Sequence, residues 1–153
     1  SDIIVSRHCI KRISELMERH EINIITPAFN CWMNTTRNRN AHGTREVKVI
    51  EFTAPVIKKQ VFEKVGFFDE RFARGWGVEF DFCHRARKAG FTIHVDDGSN
   101  FFHMGQQTIN ATVGYAEYGP KAHHEMESGM SAKYGLNWKK SLYGDKDYIQ
   151  NLK

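Results

Sequence analysis

Two carboxylates, Glu79 and Asp81, follow directly on the run Gly75-Trp76-Gly77 and open an amphipathic stretch that reaches Gly90. Acidic side chains in the first turn of a helix face the positive end of its dipole. That favours their ionised form and suits them to accept a proton or to face a cation. Residues two apart on a helix point about 200° from one another, so Glu79 and Asp81 do not serve one ligand through helical geometry alone. Asp81 stands four residues before Arg85, the spacing of a surface ion pair, which leaves Glu79 as the freer carboxylate. The two glycines around Trp76 supply the backbone freedom of a tight bend, so the acids are presented at a turn.

The elements around this stretch read as alternating helix and strand. Apolar residues at spacings of three and four (Ile10, Ile13, Leu16, Met17) predict a helix over residues 7–20, with Ser6 as its N-cap. Residues 22–26 predict a buried strand stopped by Pro27. The polar run 30–44 predicts a long mobile loop carrying Arg37, Arg39 and His42, either solvated or touching a phosphate or acceptor. Residues 46–52 alternate as a strand, and a short helix over 58–64 ends at Gly66. The central helix spans 78–89, with Gly90 past its end. Residues 91–95 predict a strand, Asp96-Asp97-Gly98 a turn, 100–103 a second extended piece, and 104–108 a loop. A helix over 116–134 and a strapping tail from Leu136 to Lys153 complete the chain. The expected organisation is a segment 1–112 with the chemistry and a segment 113–153 of helix and tail. Strand, helix, strand is α/β order.

Composition bounds the function. The chain has 153 residues, 41% of them hydrophobic, enough for one domain with a core of its own. A mean hydropathy of −0.54 and the lack of any long apolar run argue against a membrane span. Cys9, Cys31 and Cys83 are odd in number and far apart, which suggests no disulfide framework and a reducing, cytoplasmic setting. A net charge of +4 comes from 22 basic against 18 acidic residues without clustering, so a nucleic-acid partner is not expected. The adjacent His123 and His124 lie at no recognisable zinc spacing and read as a solvated helix face.

The runs Val61-Phe62-Glu63-Lys64-Val65-Gly66-Phe67-Phe68-Asp69-Glu70-Arg71-Phe72, Gly75-Trp76-Gly77-Val78-Glu79-Phe80-Asp81-Phe82-Cys83, and Arg85 to Phe91, with the later Phe102-His103, carry a resemblance. Together they resemble the C-terminal half of a family 2 glycosyltransferase with the GT-A fold. The Gly-Trp-Gly followed by acids is also similar to the motif of β-1,4-galactosyltransferase-type enzymes. The resemblance covers about residues 3–108. It implies an α/β fold, a partial GT-A mixed sheet flanked by helices, with the N-terminal nucleotide-binding half missing. It also implies transfer of a sugar from a nucleotide-diphospho-sugar to an acceptor hydroxyl, inverting and dependent on Mn²⁺ or Mg²⁺.

Carried over by residue, the family's Gly-Glu-Asp-x-Asp pattern reads here as Gly77-Val78-Glu79-Phe80-Asp81. One alignment places Glu79 at the catalytic base; the galactosyltransferase-like alignment places Phe80 there and leaves Glu79 binding the acceptor. Asp81 is the other base candidate. Trp76 and Gly77 fall at the acceptor side, where the Trp76 ring either stacks on a sugar face or belongs to the core. His103 resembles the family's late metal-binding His, and Asp2 stands where the last acid of its metal motif would be. With an imidazole in the set, Mn²⁺ is expected over Mg²⁺. His103 alternatively is a strand-end residue whose side chain is satisfied by a backbone hydrogen bond. The expected partners are a nucleotide sugar donor (UDP- or GDP-linked) and a carbohydrate acceptor. The rival expectation is a non-catalytic half-domain that binds or dimerises through exposed strands, forming a homo-oligomer.

Overall fold

The computed structural model describes residues 3–31, 33–39, 41–105 and 107–144. Along the chain its elements are β1 (Ile3–Val5), α1 (Cys9–Arg19), β2 (Ile24–Phe29), β3 (Thr44–Glu46), β4 (Val56–Ile57) and α2 (Lys59–Val65). There follow α3 (Val78–Lys88), β5 (Ile93–His103), α4 (Gln107–Thr112), α5 (Tyr115–Tyr134) and α6 (Trp138–Tyr143). The fold is mixed α/β, with five strands in one mixed sheet and six helices among the described residues.

β5 is the spine of the sheet. It pairs in parallel with β2 along one side, and antiparallel with β3 near its start and β1 near its end along the other. β4 continues the sheet beyond β2. Because side chains alternate across a strand, neighbouring residues of β2 serve different layers. Ile25 joins Cys9, Ile13 and Met17 of α1, while Ile24 joins Ile93, Val95, Phe80, Phe82, Met126 and Met130 in the larger core. Fully burying one such side chain contributes about 2 kcal/mol.

Several expectations change. Pro27 does not stop its strand; β2 runs through it to Phe29. β4 covers only Ile24 and Ile25, and the register on β5 shifts between Pro27 and Ala28, so the missing N–H falls at an irregularity. Asp96-Asp97-Gly98 is not a turn but the middle of β5. Both acids are buried there because each has a guanidinium partner: Arg12 Nε donates to Asp96 at 2.7 Å, and Arg45 Nε to Asp97 at 2.7 Å. Charge-assisted pairing offsets the burial that composition alone argues against. Gly98 lets Arg12 lie flat across the strand, since a Cβ there would sit 2.5 Å from its guanidinium.

Of the expected strand 46–52 only Glu46 belongs to β3; Val49 and Ile50 are consecutive buried residues, which alternation does not allow. The polar run after β2 is tied down rather than loose. Phe29 N–H donates to Thr36 O, Asn38 N–H to Phe29 O, and Arg37 and Arg45 donate to loop carbonyls. His8, not Ser6, is the N-cap of α1. The expected loop 104–108 contains the start of α4, and the strapping tail contains α6, whose Trp138 and Tyr143 are buried in the larger core. Among the described residues no helix is long and apolar enough to cross a membrane.

Candidate functional site

Gly75 and Gly77 adopt φ of 84° and 98°, so the bend before α3 uses a conformation that L side chains rarely take. At Gly77 space is a second constraint. A Cβ would lie 2.8 Å from Phe72 Cδ1 and 3.0 Å from Met126 Cγ. Gly77 is the N-cap of α3, which sets Glu79 and Asp81 in its first turn. Trp76 is half-buried, packed against the core, with its ring 6.3 Å from that of Tyr115.

The two acids have opposite surroundings. Asp81 is buried and accepts from Arg85 Nε at 2.8 Å, from the Tyr134 hydroxyl at 2.6 Å, and from Lys133 Nζ. Burial pushes its carboxyl up, but hydrogen bonds from Lys133, Tyr134 and Arg85 outweigh that and hold it below the usual carboxylate range. Lys133 also donates to Asp69 at 2.9 Å. Asp81 is therefore a permanent anion locking α3 to α5, and is unsuited to accept a proton near neutral pH.

Glu79 is half-buried, and desolvation pushes its carboxyl up to about 7. Its own backbone N–H and that of Gly77 favour the anion, while the charge of Glu51 disfavours it. Glu51 is the residue that sequence reading missed. Burial raises it as well, opposed by Thr53, whose hydroxyl donates to Glu51 Oε1 at 3.2 Å, and by the charge of His103. A signal existed: Glu51 is an acid set directly between apolar neighbours, Val49-Ile50 before it and Phe52 after.

His103 ends β5 beside Phe29, the end of the parallel strand β2, with ring centroids 6.0 Å apart. The Asn30 side chain clamps the His103 backbone, donating to its carbonyl and accepting from its N–H, both at 3.0 Å. Both bonds fix the main chain of His103 and neither involves its imidazole. Cys31, Thr36 and Glu51 gather nearby: Thr36 Oγ1 accepts from Glu51 N–H at 3.0 Å, and burial pushes the Cys31 thiol up to about 12. The carboxyl ends of parallel strands are where α/β sheets place ligands. Glu51 is influenced by the charge of His103, and Glu79 by that of Glu51. Asp2 lies outside the described residues; Ile3, which follows it, pairs with His103 across the ladder. Among the described residues no three His, Cys, Asp or Glu side chains converge to hold a metal ion.

A surface depression of about 740 Å³ lies elsewhere, lined by Arg71, Arg74, Lys121, His124 and Glu125 among others. Its cations are already paired, Arg71 with Asp69, Arg74 with Glu125 and Lys121 with Glu117. None of the site residues lines it.

No protein-family model matches the chain. It is 32% identical over 93 residues, 60% of its length, to an uncharacterized protein of Mycobacterium bovis and to uncharacterized proteins of two Mycobacterium tuberculosis strains. The match spans 36% of each of those proteins, so the chain corresponds to about a third of the relatives it matches.

Proposed function

We propose that the chain is the acceptor-side half of a GT-A glycosyltransferase domain. In this reading Glu79 accepts the proton of an acceptor hydroxyl as its oxygen attacks the anomeric carbon of a nucleotide-diphospho-sugar, with inversion. The observation that carries it is the contrast within the first turn of α3: Asp81 is held ionised by three donors, while Glu79 titrates near neutrality. A base is most effective when its pKa lies near the working pH. Trp76 and Gly77 lie directly before it, where the acceptor would approach.

His103 and Asp2 are the residues proposed for Mn²⁺ or Mg²⁺. An imidazole in the ligand set suits Mn²⁺ better than Mg²⁺. The cation would neutralise the departing nucleotide diphosphate. The chain's own contribution is to fix His103 through Asn30 and to hold Glu79 at the turn.

Calorimetric titration with UDP and GDP, each with and without Mn²⁺, tests the donor side. Metal-dependent binding supports the reading for this chain alone; without it, the donor pocket must come from another segment. The base is tested by Glu79→Gln in a protein that joins this chain to a nucleotide-binding half. Transfer should fall by roughly 10² to 10⁴ with the fold intact. Full retained transfer would rule Glu79 out.

A second reading, self-association, is favoured by one observation. Ile4 and Phe102 form a cross-strand pair at the β1 edge of the sheet and are 60% and 54% exposed. A mass by light scattering that stays monomeric across a hundredfold concentration range would dismiss it.

A further inference from the structure

We propose that the groove between the turn 69–76 and α5 binds an anionic group, a carboxylate or a phosphate, carried by the acceptor carbohydrate. Specific contacts hold the groove in shape. Phe72, buried in the turn, lies so close to α5 that a Cβ on Gly129 would sit 2.7 Å from its ring. The Tyr118 hydroxyl donates to the Arg74 carbonyl, and Lys133 Nζ donates to Asp69 at 2.9 Å. Tyr118 precedes the residues of α5 that line the groove and Lys133 follows them, so turn and helix are tied together at both ends. A site fixed in this way loses little freedom when a ligand enters.

The lining is rich in donors and poor in acceptors. Arg71, Arg74 and Lys121 stand there against one carboxylate, Glu125. Their ion pairs leave many N–H groups unspent. Arg71 gives Nε and Nη2 to Asp69, Arg74 gives only Nη1 to Glu125, and Lys121 Nζ makes one bond, to Glu117. Among the described residues nothing accepts from Arg71 Nη1 or from Arg74 Nε and Nη2, and the side chains of His124 and Ser128 have no hydrogen-bond partner. The acids, by contrast, are engaged. Glu125 accepts from the Arg74 N–H at 2.8 Å and from Arg74 Nη1 at 2.7 Å, and Asp69 is shared between Arg71 and Lys133. Surplus charged donors select a ligand group that only accepts, and a guanidinium fork matches the paired oxygens of a carboxylate or phosphate. The carbohydrate follows from the neighbours. Arg74 stands two residues before Trp76, whose ring is 6.3 Å from that of Tyr115, and Tyr115 lies six residues before Lys121, about 9 Å along the helix axis. Aromatic surfaces suit the apolar face of a sugar ring. That the bound sugar is the acceptor rests on the transferase reading; that the groove takes an acidic sugar does not.

The test is an NMR titration of the ¹⁵N-labelled chain with glucuronic acid, glucose 6-phosphate, glucose and inorganic phosphate, followed at the amides of residues 71–76 and 121–129. At least one acidic sugar should give saturable shifts confined to the groove, with glucose and inorganic phosphate weaker by about tenfold or more. Lys121→Glu and Arg74→Gln should each weaken that binding about tenfold. Both side chains are exposed, and Arg74→Gln keeps the backbone N–H that Glu125 accepts; if one variant fails to fold, the other decides. Failure of both acidic sugars to bind overturns the proposal. So does glucose or inorganic phosphate binding as tightly as they do, or binding unchanged in a folded Lys121→Glu or Arg74→Gln variant. The transferase reading is judged separately by Glu79→Gln. Full retained transfer there removes the acceptor role and leaves the titration to decide the site, whereas lost transfer with no acidic sugar bound removes the groove alone.

Discussion

Glu79 has a cost at the scale of the residue. Its folded pKa, about 7, lies above the ordinary glutamate value, so the unfolded chain gives up this proton first as pH rises. Stability is therefore lost between roughly pH 4.5 and 7 and stays lost above. We expect Glu79→Gln to match the parent near pH 4 and to exceed it at pH 8 by about 3 kcal/mol in urea unfolding. An equal or lower stability at pH 8 would mean that Glu79 is not desolvated. Asp81 has the opposite sign: its contribution is complete above the ordinary aspartate value and is lost as pH falls through its lower folded value. The sequence foretold half of this contrast. Arg85, four residues from Asp81, was readable as its partner; Lys133 and Tyr134, over fifty residues away, were not, because no local pattern encodes a contact between α3 and α5.

At the scale of elements, the helices were more legible than the strands. α1, α2, α3 and α5 each announce an apolar period or a glycine stop, and observed bounds differ by a few residues at most. The strands obey tertiary partners instead. β5 runs through Asp-Asp-Gly because Arg12 and Arg45 arrive from α1 and β3 to neutralise the acids. Nothing within residues 93–103 reveals those arrivals. The bend before α3 is the element on which the site depends, and Gly77 is its tightest point. Gly77→Ala adds a methyl inside van der Waals distance of Phe72 at a φ that alanine disfavours. A loss of about 2 kcal/mol or more is expected in denaturant unfolding, with Phe72 displaced or α3 starting later. Gly75→Ala, equally strained but with open space around it, should cost less.

For the whole molecule, the deciding fact is that α6 completes the core. Trp138 packs against Phe80 at 5.2 Å, Tyr143 packs against the same ring at 5.6 Å, and the Tyr143 hydroxyl donates to the Phe80 carbonyl. The aromatics of this segment were plain in the sequence, but their partner on α3 was not, so the segment read as a strap. Trp138→Ala should cost about 3–5 kcal/mol, and a comparable fall at Glu79's end of α3 should follow in hydrogen exchange. A change below 1 kcal/mol would return the segment to a surface role. The sheet order, with β5 between β2 and the two antiparallel strands, was also beyond reach, since a chain read in order does not show which strands meet.

The three cysteines carry a further consequence. Cys9 lies on α1, Cys31 in the loop after β2 and Cys83 on α3; all are free and buried, and burial raises all three, Cys31 and Cys83 to about 12. Alkylation needs both access and a thiolate, so in the closed fold each thiol is protected twice over. Reaction must wait for its own element to open. The chain therefore holds three chemical clocks, one in each layer and one at the site, whose separate rates would time the opening of α1, of the loop and of α3 without any label being engineered.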